Sequence, residues 1–242
     1  MKKMLLTVMS IIVLYSCDEN PKVSFTEYNL LKEDNVLVEI NIPQAEGDEV
    51  VSQAINNKLQ NHIANMLNFS EDDSDILSLD QAILNFEKNY LDFKRDFEES
   101  SISYDATFDG EVIFESAEVI SIALTGYLNT GGAHGNTNIT LYNFNAQSGV
   151  LLELTDFISD EAAFTAIAQS HFEKAVNANP DTDLSDYFFG EAFHLPANIG
   201  LNSDGVLLLY NQYEVASYAT GITQFTIPFD EVLEYLWISP MF

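Results

Sequence analysis

The stretch Glu118–Val150, with the sequence EVISIALTGYLNTGGAHGNTNITLYNFNAQSGV, places a glycine-rich centre between two apolar segments. Both segments alternate or run apolar, as buried β-strands do. Glycine in a strand setting marks a β-bulge or a close approach of the backbone, so we expect Gly131, Gly132 and Gly135 to shape the chain here. The segment NAQSG (145–149) predicts a hairpin turn that uses a glycine at positive φ.

Outside this stretch, some segments space their apolar residues as a β-strand does and others as an α-helix does. The segment NVLVEINIP (35–43) alternates apolar and polar residues, which predicts a half-buried strand ended by Pro43. Apolar residues at helical spacing predict three helices, over residues 48–69, 75–99 and about 160–176. This order predicts an α+β fold in a single domain over residues 34–242, with a mainly antiparallel sheet packed by several helices.

The N-terminus has the pattern of a bacterial lipoprotein signal. Two lysines precede an apolar run from Met4 to Leu14, which is too short to span a bilayer as a helix of roughly 20 residues. LYSC resembles a lipobox and ends at Cys17, the only cysteine. We therefore expect residues 1–16 to be a signal peptide, Cys17 to be lipidated and residues 17–33 to be a tether. The alternative is an ordinary signal with an incidental cysteine.

The charge of the chain limits its partners. The 38 acidic and 9 basic residues give a formal net charge of −29. Such a surface repels nucleic acid and favours a cationic partner. The alternative is that the charge serves solubility alone. The acidic segment CDEN (17–20) also resembles the export tags of some surface lipoproteins, which indicates the cell envelope and favours the outer-membrane surface.

His134 is the residue that decides between an enzyme and a binding module. The four histidines show no metal-ligand spacing, and no phosphate-binding loop is present. The acidic segment SEDDSD (70–75) lacks the glycine and closing glutamate of a calcium loop. We therefore expect no catalytic residue, metal or cofactor. Three roles for His134 remain open: a hydrogen-bonded residue that holds a bulge, part of a binding surface, or a catalytic group.

A second candidate site is the aromatic segment YNQYEVASYATG (210–221). Tyr210, Tyr213 and Tyr218, with Gly221, predict an aromatic turn between two strands. Exposed tyrosines bind protein partners or stack on sugar rings. The alternative is that they pack the sheet against the helices.

Two separated segments carry a family resemblance. The segments GYLNTGGAHGNTNITLYNFNAQSGVLLELTDFI (126–158) and GLNSDGVLLLYNQYEVASYATGITQFTIPFDEVLEYL (200–236) resemble the PdaC/RsiV-like extracytoplasmic domain. This domain of unknown function occurs in peptidoglycan deacetylases and in a lysozyme-sensing anti-sigma factor. The resemblance covers about residues 34–236, and it implies an α+β envelope domain without known catalysis of its own.

The sequence as a whole predicts a lipid-anchored binding module of the bacterial envelope. Its expected ligand is a cationic, lysozyme-like protein or cell-wall glycan. Lysozyme binding is implied only by the resemblance, and the acidic charge agrees with it because lysozymes are typically basic. Two alternatives stay open: a hydrolase that acts on cell-wall glycan through His134 and acidic residues, and a structural lipoprotein.

Overall fold

The structure is a computed structural model that describes residues 22–68, 78–180 and 182–238. In those residues the chain forms strands and helices in the order β1 (Val23–Glu33), β2 (Leu37–Gly47), α1 (Glu49–Leu67), α2 (Leu79–Asp96), β3 (Asp105–Glu115), β4 (Val119–Asn129), β5 (Asn136–Asn145), α3 (Leu154–Phe157), α4 (Glu161–Ala178), β6 (Asn198–Leu201), β7 (Gly205–Tyr210), β8 (Thr223–Pro228) and α5 (Phe229–Val232). None of the described helices is long and apolar enough to cross a membrane.

The strands form two sheets. The first has the order β1-β2-β3-β4-β5, and the second has the order β6-β7-β8. The pair β2–β3 is parallel and the other pairs are antiparallel. A parallel pair requires a crossover connection, which α1 and α2 provide. The predicted α+β fold with a mainly antiparallel sheet is therefore confirmed, with the strands divided between two sheets.

The tether prediction is wrong for residues 23–33. These residues form β1, which pairs with β2 over its whole length, from Val23 opposite Gly47 to Glu33 opposite Leu37. Val23 is buried, and Phe25, Tyr28 and Leu30 of β1 pack partly against the core. Two exposed neighbours, Thr26 and Glu27, interrupt the alternation of β1, which is why the sequence does not show it as a strand. Residues 1–21, including Cys17, lie outside the described part of the chain.

Pro43 does not end β2, as the sequence predicts, but lies inside it. The N–H of Leu37 donates to the carbonyl of Tyr104, so every second residue of β2 from Leu37 directs its backbone groups towards β3. Pro43 belongs to this set, and the pairing of β2 with β3 ends before it, at Asn41. Proline is tolerated here because no ladder bond to β3 needs its missing N–H.

The helices follow the sequence prediction closely. The side chain of Asp48 accepts hydrogen bonds from the backbone N–H groups of Val50 and Val51, so α1 begins at Glu49. Ser78 caps α2 in the same way, so that α2 begins at Leu79 instead of Asp75. The predicted polar connection 70–75 lies outside the described residues.

Each sheet has its own hydrophobic core. In the first core, α1 buries Ile55, Leu59 and Ile63 against strand residues such as Ile40 and Phe108. The second core contains these aromatic and aliphatic side chains among others: Phe164 and Phe172 of α4, with Val206, Tyr210 and Ile227 of the second sheet. The two sheets meet where β5 lies beside β6.

Three buried asparagines, here called the asparagine clips, join the sheets at this meeting point. Asn143 Nδ2 donates to the carbonyl of Ile199 at 2.7 Å, and Asn198 Oδ1 accepts from the N–H of Leu141 at 3.1 Å. Asn211 bonds both backbone groups of Ile139, each at 2.8 Å. The clips place the segment after β7 directly beside the glycine-rich end of β5, and they therefore position the candidate site.

Candidate functional site

The three motif glycines lie in the loop 130–135 that joins β4 to β5, so of the two predicted roles, a β-bulge or a close approach of the backbone, the bulge is not found at these positions. The bulge of this sheet lies in β3, between Val112 and Phe114. Gly131 has φ +89°, a conformation that L-residues rarely adopt, and a Cβ there would lie 2.4 Å from Ile102 Cγ2. A Cβ on Gly135 would lie 2.3 Å from the ring of Tyr127.

Gly132 differs from its two neighbours. Its φ is not positive, and the nearest atom to a Cβ would be the carbonyl oxygen of His134, at an ordinary contact distance of 3.5 Å. The expectation that all three glycines shape the chain therefore holds for Gly131 and Gly135 and fails for Gly132.

The ring of His134 is exposed at the tip of this loop. Its Nδ1–H donates to the carbonyl of the adjacent residue, Gly135, at 2.9 Å, which orients the ring. The same ring stacks on Tyr218, with centroids 3.8 Å apart and planes 21° apart. His134 is therefore hydrogen-bonded, as the first of its three predicted roles requires. It is also exposed at the protein surface, where it contacts the second motif.

The second motif forms the loop between β7 and β8. Tyr218 begins a short 3-10 turn that ends at Gly221, where φ is +78°. The centroid of the Tyr213 ring lies 5.5 Å from that of Tyr218, and Tyr213 is 58% exposed. We call the three rings of His134, Tyr213 and Tyr218 the aromatic patch. The structure therefore brings together the two motifs that the sequence analysis treats separately.

Tyr213 is held in an unusual conformation by its neighbours. Its φ is +67°, which is strained for a bulky residue. On one side, the amide of Asn211 is fixed on β5 as one of the asparagine clips. On the other side, the carboxylate of Glu214 accepts from the N–H groups of Asn211 at 2.8 Å and Ala197 at 2.9 Å. These bonds fix the backbone on both sides of Tyr213 and stabilise the strained turn.

A third aromatic turn packs against this loop, and the sequence analysis missed it. Phe188, Phe189 and Gly190 have φ values of +59°, +52° and +87°. The N–H of Phe188 donates to the carbonyl of Val215 at 2.6 Å. This bond links the turn to the loop that contains Tyr213, two residues after Tyr213 itself. Phe189 is 69% exposed. Three aromatic residues directly before a glycine, Tyr187 to Phe189, are the sequence signal of this turn.

The histidines do not converge on a catalytic or metal centre. His62 bonds the hydroxyl of Tyr142 at 2.7 Å, and burial lowers its pKa, with a smaller contribution from Lys58. His171 lies 3.0 Å from Glu231, whose pKa is lowered by this contact. Among residues 22–68, 78–180 and 182–238, no three His, Cys, Asp or Glu side chains are arranged to hold a metal ion.

The comparisons with known proteins divide the chain into two regions. Residues 31–137 match a family model described as Deacetylase PdaC, and residues 155–230 match one described as a protein of unknown function, DUF3298. The resemblance predicted from the two motifs is therefore confirmed. The loop of His134 lies in the first region and the loop of Tyr213 and Tyr218 in the second, so the aromatic patch spans both.

Two solved structures are similar in fold. One is a DUF3298 family member from Bacteroides fragilis NCTC 9343, with 17% identity, a TM-score of 0.69 and coverage of 92% of this chain and 97% of that chain. The other is a DUF3298 family protein from Pseudomonas aeruginosa PAO1, with 18% identity, a TM-score of 0.65 and coverage of 90% and 95%. No curated protein matches the chain at a significant level.

Proposed function

We propose that this chain, in which a PdaC region precedes a DUF3298 region, is a lipid-anchored binding module of the bacterial envelope. Its partner in this proposal is a cationic protein of the lysozyme type, and its contact surface is the aromatic patch. The observation that carries the proposal is that Tyr213 and His134 are exposed and yet held in place by a ring stack and by hydrogen-bonded loops.

Ordered aromatic rings favour binding for an entropic reason. Immobilising a free side chain at an interface costs about 0.5–1.5 kcal/mol. The stack of His134 on Tyr218, and the fixed backbone on both sides of Tyr213, restrict these groups before a partner arrives. Strained backbone conformations of this kind cluster at functional sites, and tyrosine is enriched among residues that dominate binding energy. The patch therefore has the physical properties of a prearranged contact surface.

The charge supports a basic partner. A formal net charge of −29 attracts cationic proteins over distances near the screening length, which is about 10 Å at 0.1 M salt. Charge of this kind accelerates association more than it tightens the final complex. We therefore assign the approach of the partner to the acidic surface and the lifetime of the complex to the aromatic patch.

Cell-wall glycan is the second candidate ligand. An exposed tyrosine ring presents a flat apolar face with a polar edge, which suits stacking on a sugar ring. The 58% exposure of Tyr213 favours this candidate. Glycan binding requires no charge complementarity and should not depend on the salt concentration. Binding of a cationic protein should weaken as the salt concentration rises, so a salt series distinguishes the two candidates.

The hydrolase alternative has less support from the geometry. A catalytic histidine needs a nucleophile or a carboxylate within hydrogen-bond reach. The Nδ1–H of His134 instead donates to a backbone carbonyl, and its ring stacks on the ring of Tyr218. The deacetylase name belongs to the matched family model, and we do not extend that activity to this chain. We propose that binding, without catalysis, is its role.

Surface plasmon resonance with a basic lysozyme, at low and at 0.3 M salt, tests the proposal. We expect Tyr213→Ala to speed dissociation by roughly tenfold or more, because an anchoring side chain is worth at least about 1.4 kcal/mol. Tyr218→Ala should act similarly, since it also removes the support under His134. The matched control is Trp237→Ala, which truncates an aromatic side chain that is 70% exposed and outside the patch.

Three outcomes would contradict parts of this proposal. Absence of binding at low salt removes the cationic protein, and a pull-down with insoluble peptidoglycan then tests the glycan. Equal losses for Tyr213→Ala and Trp237→Ala remove the patch as the contact surface. Binding that disappears at the higher salt and ignores both tyrosines is nonspecific charge attraction.

A further inference from the structure

The first sheet has two ends, and the aromatic patch lies at only one of them. β4 runs from Val119, opposite Asn145 of β5, to Asn129, opposite Asp105 of β3. The 11 residues of β4 extend over about 34 Å. The loop of His134 follows Asn129, so the aromatic patch lies where β4 finishes. We call this the patch end of the sheet.

The described chain enters the fold at the opposite end of the sheet. The carbonyl of Lys22 accepts from the N–H of Asp48 at 3.0 Å, and Lys22 Nζ donates to the carbonyl of Gln147 at 2.7 Å. Val23 follows and pairs with Gly47, the last residue of β2. We call this end, with the start of α1 and the turn 145–150, the entry end.

Contacts between its segments make the entry end one continuous surface. The side chain of Gln147 donates from Nε2 to the carbonyl of Ala117 at 2.9 Å, which joins two turns. Gly149 lies against the first turn of α1, since a Cβ on it would lie 3.0 Å from Val51 Cα. Because Lys22 is bonded to Gln147, the point at which the chain enters is fixed relative to this surface.

Two apolar side chains are exposed at the entry end. Val50 lies in the first turn of α1 and is 71% exposed, and Val150 follows the turn at Gly149 and is 60% exposed. They are the sequence neighbours of Val51 and Gly149, the two residues that bring α1 and the turn together. Transfer of exposed apolar surface out of water is favourable, so this part of the entry end suits contact with an apolar phase.

The proposed lipid anchor brings the entry end close to a bilayer. When Cys17 carries the lipid, the five residues from there to Lys22 span at most about 18 Å, even if they are fully extended. The patch end lies about 34 Å from the entry end along β4. The entry end is therefore the part of the sheet that the anchor holds near the membrane.

The charge of the entry end selects the kind of lipid. Glu46, Asp48 and Glu49 are exposed there. Anionic headgroups produce a negative surface potential, which attracts basic segments and repels carboxylates. A zwitterionic headgroup has no net charge, so it permits the approach of this acidic surface.

We propose that the entry end rests on a zwitterionic lipid surface, with Val50 and Val150 in the interface and the aromatic patch directed away from the membrane. The tether alone limits the distance of the domain from the bilayer but not its tilt. The two valines add a second point of contact, which restricts the tilt and keeps the patch accessible to a partner. This inference rests on the lipid anchor of the proposed function, and it does not depend on which ligand the patch binds.

The test anchors the protein chemically. A chain that begins at Cys17 is coupled through this single thiol to maleimide-phosphatidylethanolamine in phosphatidylcholine vesicles. The coupling supplies an anchor whether or not the cell lipidates Cys17. A failure of lipidation is seen as absent metabolic lipid labelling in cells, whereas a failure of the orientation is seen in the vesicles, so the two can be distinguished.

Tryptophan reporters measure which end touches the bilayer. Val50→Trp and Val150→Trp, each combined with Trp237→Phe, report contact through quenching by brominated phosphatidylcholine. Leu31→Trp is the matched control, because Leu31 is 62% exposed and lies about 27 Å along β1 from Val23, towards the patch end. The added ring has the same affinity for lipid in each variant, so a difference reports orientation.

We expect brominated lipid to quench Val50→Trp and Val150→Trp at least about threefold more strongly than Leu31→Trp, because apolar groups at an interface lie roughly 5–10 Å inside its boundary. Equal quenching of the three variants, or stronger quenching of Leu31→Trp, would overturn the proposed orientation.

Two further measurements test the valine contact and the lipid class. Val150→Ser should reduce the quenching of Val50→Trp by about twofold, since it removes one of the two apolar contacts. No reduction would refute the contact at Val150. Replacing phosphatidylcholine by phosphatidylglycerol should also reduce this quenching, because the carboxylates are repelled. Stronger quenching in the anionic vesicles would refute the assignment to a zwitterionic surface.

Discussion

Replacing Gly131 by alanine should destabilise the protein, and the structure allows the size of the effect to be estimated. An L-residue in a left-handed conformation is disfavoured by about 1–2 kcal/mol, and Gly131 has φ +89°. The new Cβ would also lie 2.4 Å from Ile102 Cγ2, and overpacking of this kind typically costs about 1–3 kcal/mol. The sum is about 3 kcal/mol, which corresponds to a decrease in Tm of roughly 6–12 °C for a domain of this size.

The adjacent glycine provides the matched control. Gly132→Ala introduces the same methyl group where φ is not positive and the nearest atom is 3.5 Å away. This substitution should leave stability unchanged or raise it by about 0.4–1 kcal/mol, because alanine restricts the unfolded chain. The two variants differ by one position in the sequence and should differ in stability by about 3 kcal/mol or more.

Urea denaturation followed by far-UV circular dichroism measures both variants. This signal is preferable to tryptophan fluorescence, because the single tryptophan, Trp237, is 70% exposed. Two results would refute the reasoning: a Gly131→Ala variant within about 0.5 kcal/mol of the parent protein, which is the usual range for harmless surface changes, or equal destabilisation by Gly132→Ala.

Three further predictions concern the anchor, the joint between the sheets and the effect of pH. Cys17→Ser should abolish metabolic lipid labelling, because no thioether can form, and unchanged labelling would contradict the lipidation proposal. Asn211→Ala should lower the free energy of unfolding in urea by about 1–3 kcal/mol, since it leaves both partly buried backbone groups of Ile139 without their partner. An unchanged free energy of unfolding would contradict this prediction. Burial and Lys58 lower the pKa of folded His62 below about 6.5, its value in an unfolded chain. Below that pH the unfolded state binds a proton that the folded state does not, so stability should fall as the pH decreases, and thermal melts between pH 7 and 5 should show a weaker dependence in His62→Gln.

Local signals in the sequence were sufficient for most of the elements. The start of α1 follows from Asp48 and the helical spacing after it, and the hairpin turn at Gly149 follows from NAQSG, with φ +70° as expected. β1 escaped prediction because two polar residues interrupt its alternation. The sequence predicts a strand end at Pro43 because it does not show on which side of a strand a neighbour is missing.

The candidate site was predictable in parts and not as a whole. Each aromatic or glycine-rich loop has a local signature, but the stack of His134 on Tyr218 joins residues far apart in the chain, and no local pattern reports such a contact. Adjacent glycines also look alike in a sequence, although only Gly131 has positive φ and Gly132 does not. The turn at Phe189 was missed because its left-handed conformation depends on the bond from Phe188 to Val215.

The asparagine clips allow the two halves of this fold to vary independently. Asn143, Asn198 and Asn211 all bond to backbone atoms of the opposite sheet, and every residue type except proline offers both of those atoms. The identities of the side chains at positions 139, 141 and 199 are therefore not specified by these bonds. Substitutions at these three positions therefore leave the hydrogen bonds of the joint in place, which is one physical route by which a fold persists at 17–18% identity.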